Sequence, residues 1–130
     1  MSNKVRIIIL IAIFMLLLSL SSSTRETGLS KYIIVSKGTV MATAYNSMVG
    51  QTDSTPWITA SGTRCREGVV AANHLPIGTK ILIAGFGNKV FVVEDRMNQR
   101  YKKRIDIWMK SYNKARQFGK REITYYVLKT

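Results

Sequence analysis

Three of the seven acidic residues of the chain fall in one stretch, Val90 to Trp108, and these are the side chains best suited to do chemistry. Glu94 and Asp95 close an apolar run that starts Val90-Phe91-Val92-Val93, and Asp106 sits inside a second, Ile105-Asp106-Ile107-Trp108. Carboxyl groups held at strand ends over a cleft can donate and take up protons. Apolar neighbours and a second carboxylate each push a carboxyl pKa upward, toward the range where it can do both. The competing reading is charge neutralisation, because Arg96, Arg100 and Arg104 lie between the two runs.

Other chemistries find less support. One histidine, His74, and one cysteine, Cys65, supply too few ligands for a metal centre, and no cofactor is called for. A single cysteine makes no internal disulfide, and nothing in the sequence brings His74 to Cys65 as a base, so Cys65 reads as a small half-buried thiol. Asp53, in Thr52-Asp53-Ser54, reads as a loop-capping turn residue.

The elements that must position the carboxylates are short and β-rich. Tyr32 to Val35 reads as a leading strand interrupted at Gly38, and Thr39 to Tyr45 as the first main strand. A long polar loop, Asn46 to Gly62, precedes the short apolar strand Val69 to Ala72. Lys80 to Ala84 and Lys89 to Asp95 form a hairpin across Gly85-Phe86-Gly87-Asn88. Their apolar runs lack alternation, which predicts that both faces are covered. Ile105 to Trp108 and Ile123 to Leu128 complete the strands. Ser111 to Phe118 has helical spacing, with Ser111 as N-cap and Gly119 just past its end. Trp108 and most of the six methionines are expected in the core. So many short strands joined by glycine-rich turns predict an all-β fold, a small closed barrel of six strands with one short helix.

The N-terminus is of a different kind. Lys4 and Arg6 precede an unbroken apolar run, Ile7 to Leu18, and then Ser19-Leu20-Ser21-Ser22-Ser23. This is the layout of a secretory signal peptide, or of a signal anchor if residues 1–23 stay uncleaved. Residues 24–37 then read as tether and leading strand, and 38–130 as the barrel. A net charge of +13 favours anionic partners. Export argues against nucleic acid and for anionic cell-envelope polymers, with membrane contact only through the N-terminal segment.

A resemblance adds to this reading. Ala42-Thr43-Ala44-Tyr45, Thr59-Ala60-Ser61-Gly62-Thr63, Gly68-Val69-Val70-Ala71, Leu75-Pro76-Ile77-Gly78-Thr79-Lys80, Val93-Glu94-Asp95, Arg104-Ile105-Asp106-Ile107 and Ala115 with Phe118-Gly119 follow one another in order. Together they resemble the 3D domain, named for three aspartates and shared with the membrane-bound lytic transglycosylase A family. The likeness covers roughly Val40 to Leu128. It implies a double-psi β-barrel, in a secreted or cell-envelope protein, that cuts the glycan strands of peptidoglycan at MurNAc–GlcNAc bonds without water. It places Asp95 at the catalytic second aspartate and Asp106 at the third. Tyr45, Trp57, Thr59 and Ser61 then line the substrate groove. Asn73 stands where the family has its first aspartate and is expected to hold the loop or a substrate hydroxyl, and the bulky basic run Arg96 to Lys103 replaces a glycine-rich segment. The alternative is a non-catalytic peptidoglycan-binding barrel of the expansin-like type. A basic nucleic-acid or membrane-surface module rests on charge alone.

Overall fold

The computed structural model describes residues 1–20, 31–48 and 55–130; Ser21 to Ser30 and Asp53 lie outside these. The chain divides into two units, Met1–Ser30 and Lys31–Thr130. The first holds helix α1, Asn3–Leu20, whose apolar residues from Ile7 onward leave it without a polar face. Among the described residues, no helix is long and apolar enough to cross a membrane.

The second unit is a closed six-stranded barrel with one short helix, as the strand spacing predicts. Its strands are β1 Ile33–Tyr45, β2 Val69–Ala72, β3 Lys80–Ile83, β4 Val90–Asp95, β5 Arg104–Trp108 and β6 Arg121–Lys129, with helix α2 at Tyr112–Phe118. Around the barrel the order is β1-β5-β2-β4-β3-β6. The pairs β1·β5 and β2·β4 are parallel and the other four antiparallel. Closure leaves no free edge along the main ladders. Inward-facing side chains follow the period of two. Ala42, Val70, Ala72, Ile81, Ile83, Phe91, Val93, Ile105 and Ile107 form the core, and Phe118 of α2 and Tyr125 of β6 close it. Helix α2 is capped as its ends predict. Ser111 Oγ accepts from Lys114 N, and Gly119, at φ 63°, donates its N–H to Ala115 O.

Three expectations change. Gly38 does not interrupt the first strand: β1 runs through it, paired to β6 from Ile33 to Ala42. A Cβ at Gly38 would lie 2.5 Å from the Tyr125 ring, so the glycine makes room for a core aromatic rather than a turn. The hairpin strands are not covered on both faces, because Leu82, Val90 and Val92 are only half-buried on the outside of the barrel. Trp108 is buried, its indole N–H donating to Ser47 Oγ, but none of the six methionines is. Met109 alone among them packs against the core, and the interior is filled by Val, Ile, Phe and Ala instead.

Candidate active site

Asp106 is outward-facing by simple alternation, since Ile105 and Ile107 on either side of it are core residues. It pairs in register with Thr43 of β1 on one side and Ala71 of β2 on the other. Asp95 reaches the same face by a different route. Alternation through Phe91 and Val93, both core residues, would carry Asp95 into the interior. A bulge between Val70 and Ala71 in the β2·β4 pairing skips Glu94 and sets Asp95 opposite Ala71. Bulges of this kind re-aim a side chain next to a functional site, and here the bulge keeps a carboxylate out of the core.

The two carboxylates therefore flank one alanine on the outer face of the barrel. Around them is a cavity of about 510 Å³, lined by Tyr45, Ala71, Asp95 and Asp106, by the loop Arg96, Met97, Asn98 and Tyr101, and by Thr55, Pro56 and Ile58. Asp95 is tightly held. Tyr45 OH donates to its Oδ2 at 2.9 Å, and Ala60 N and Arg96 N donate to Oδ1 at 2.8 and 2.9 Å. Burial, followed by the charge of Asp95, pushes the Tyr45 phenol far above its ordinary value, so Tyr45 stays a donor. Asp106 accepts one bond on Oδ1, from Thr43 Oγ1 at 2.9 Å. Burial raises its pKa from 3.8 to about 6; the Thr43 bond and the charge of Arg104 oppose this, and Asp95 adds to it. At neutral pH such a carboxyl is protonated part of the time and can both give and take a proton.

The remaining candidates have supporting places. Thr59 and Ser61 do not line the cavity. Their turn presents Ala60 N to Asp95, while Ser61 N donates to Glu94 O and Thr59 Oγ1 bonds Ser61 and Thr63. Trp57 is half-exposed beside the lining residues Pro56 and Ile58 and is not itself part of the wall. Asn73 does not line the cavity, and its amide holds the loop that does. Nδ2 donates to the carbonyls of Met97, Asn98 and Tyr101, and Oδ1 accepts from Met97 N.

Arg96, Arg100 and Arg104 make no ion pair with Glu94, Asp95 or Asp106 among the described residues, though the charge of Arg104 acts on Asp106. Glu94 takes a bidentate pair from Arg66, which, with Thr63, holds its carboxyl below the usual range. Arg96 donates to the carbonyls of Ala72 and Leu75, and Arg100 and Arg104 stack on the Tyr101 ring. Cys65 and His74 are apart in their contacts. The thiol, its pKa raised by burial, meets Pro56 O, and the imidazole meets Tyr125 OH. Among the described residues, no three His, Cys, Asp or Glu side chains gather as metal ligands would.

Several site residues escape sequence reasoning. Thr43 could have been found, since it lies two residues before Tyr45 on a strand and shares its face. Ala71 and the loop Met97, Asn98 and Tyr101 carry no such signal. No family model matches the chain, and a search of curated proteins finds no match either.

Proposed function

We propose that the barrel cuts the glycan strands of peptidoglycan without water, in the manner of a lytic transglycosylase. In this reading Asp106 carries the proton and Asp95 is the anchored carboxylate beside it. The observation that carries it is the Asp106 carboxyl, its pKa raised to about 6, in a cavity that also holds a second carboxylate fixed by three donors. Protonated Asp106 gives its proton to the glycosidic oxygen as the bond from that oxygen to the anomeric carbon breaks. The resulting Asp106 carboxylate then takes the proton of the sugar's own 6-hydroxyl, whose oxygen closes on the anomeric carbon. The proton is returned, no water is consumed, and one carboxyl serves both steps. Asp95 lies where it can stabilise positive charge at the anomeric carbon.

These roles reverse those that the family resemblance implies. Asp95 is engaged by three donors, on both of its oxygens, whereas Asp106 accepts one bond, on Oδ1, and its Oδ2 meets no donor among the described residues. The parallel pairs β1·β5 and β2·β4 support a barrel of the double-psi type. The basic start and apolar run of α1 support export to the cell envelope, with the helix as cleaved signal or anchor.

Purified peptidoglycan incubated with the protein tests the reading. Products ending in 1,6-anhydro sugars support it, and products with ordinary reducing ends indicate hydrolysis instead. Intact wall that retains bound protein would favour the non-catalytic, expansin-like barrel.

A further inference from the structure

A second cavity, of about 450 Å³, opens between the end of β1 and helix α2. It is lined by Ala44, Tyr45, Asn46, Tyr112, Ala115 and Arg116. Tyr45 lines both cavities, so the two adjoin at the side chain whose hydroxyl holds Asp95. Tyr112 and Arg116 stand one helical turn apart and share a side of α2. Tyr112 is 41% exposed, and its ring lines the cavity as a flat surface for a ligand. Arg116 differs from most of the arginines around the barrel. Arg66 is paired with Glu94, Arg96 and Arg121 bond backbone carbonyls, and Arg100 and Arg104 are stacked on Tyr101, but the Arg116 side chain, like that of Arg64, has no hydrogen-bond or ion-pair partner among the described residues.

The surroundings are mostly basic. From Met109 to Arg121 the chain carries Lys110, Lys114, Arg116, Lys120 and Arg121 and no acidic residue. Glu67, the carboxylate that meets this segment, is taken by the Lys89 ammonium and by Lys110 N. A free guanidinium beside an exposed ring, in a cavity next to a glycan-sized site, has the chemistry of an acidic-saccharide subsite. The ring stacks on a sugar face and the guanidinium takes a carboxylate or phosphate on it.

We infer that the second cavity binds an anionic substituent of the same glycan strand, on the far side of Tyr45 from the carboxylates. Arg116 reads the charge and Tyr112 the sugar ring. The inference rests on the proposed glycan reading for the polymer and on Arg116 for the charge.

The test uses the full chain carrying Asp106→Asn, so that no probe is consumed. Its affinity is measured for a β-1,4-linked N-acetylglucosamine oligosaccharide, for the same oligosaccharide bearing 6-carboxylates, and for one bearing 6-phosphates. Adding Arg116→Gln should weaken one or both acidic probes by about tenfold or more and leave the neutral probe unchanged. Tyr112→Ala should weaken all three. Equal affinities with and without Arg116→Gln, or an equal loss for neutral and acidic probes, would overturn the inference. Arg116 is exposed and unpaired, so its substitution leaves the barrel intact. The two readings fail separately. A chain that never cuts glycan but keeps an Arg116-dependent preference for acid retains the subsite. A chain that cuts glycan with no such preference does not.

Discussion

Asp95 and Asp106 stand level with the same residue, Ala71, one on the strand to each side of it. Neighbouring strands lie about 4.8 Å apart, so the two Cα atoms are roughly 10 Å apart across the small alanine side chain. Their side chains share one face and one cavity, and Asp106 feels the charge of Asp95.

Burial, to which the charge of Asp95 adds, makes Asp106 a cost to the fold at neutral pH. Its folded pKa, about 6, lies above the ordinary 3.8, so between these values the native state binds more protons than the unfolded one. Stability from this group is complete below about pH 4 and is lost as pH rises through about 6. Asp106→Asn should therefore stabilise the protein at pH 7, by on the order of 2 kcal/mol, and change little at pH 4. Urea denaturation of both proteins at the two pH values checks this.

The same shift sets the pH dependence of activity. A proton donor with a pKa near 6 is depleted above it, so the rate should fall as pH rises past about 6. A rate that keeps climbing to pH 8 would point to a different acid.

Tyr45→Phe removes one of the three donors to Asp95 and nothing from the barrel core. The expected result is a loss of about 1 kcal/mol or less in stability and of about tenfold or more in cleavage rate. Thermal unfolding and product formation, measured on the same preparation, separate the two effects.

Asn73→Asp tests whether position 73 wants a charge or an amide. Restoring the aspartate that the family resemblance places there replaces an NH₂ that serves three carbonyls with an oxygen that repels them. The loop Met97 to Tyr101, one wall of the cavity, should loosen, with a stability loss of about 1–3 kcal/mol and lower activity. Proteolysis within the loop would report its release. A more active Asn73→Asp protein would show that the charge matters more than the staple.

Much of this site was legible in the sequence, for definite physical reasons. Asp106 between Ile105 and Ile107 announces its own direction, because a strand alternates faces. The barrel follows from short strands and glycine turns, and Ser111 and Gly119 mark the ends of α2 as their chemistry requires. Asp95 was legible as a carboxylate but not as an outward one, since its direction depends on a bulge that only the pairing of β2 with β4 reveals. Asn73 was legible as a residue that holds the loop or a substrate hydroxyl, but not with its partners, because these are backbone carbonyls 24 to 28 residues away. Gly38 looked like a strand break and is a clearance for Tyr125, a contact 87 residues distant that no local pattern encodes.

That clearance gives a fifth prediction. Gly38→Ala should destabilise the barrel by about 1–3 kcal/mol, because the new methyl group meets the Tyr125 ring inside the core. Combining it with Tyr125→Val, which removes the ring, should leave less than the summed loss. Strict additivity in this double-mutant cycle would mean the two positions do not touch.

The central claim is that Asp106 carries the proton in a water-free glycan cleavage. The most direct measurement is the yield of anhydro-sugar products from purified peptidoglycan, read by mass spectrometry, for the wild type and for Asp106→Asn. Both proteins should be folded and tested at about pH 6. The account predicts such products from the wild type and a fall of about 10²–10⁴ in their rate of formation with Asp106→Asn. Undiminished anhydro products from Asp106→Asn, or none from the wild type, would contradict it.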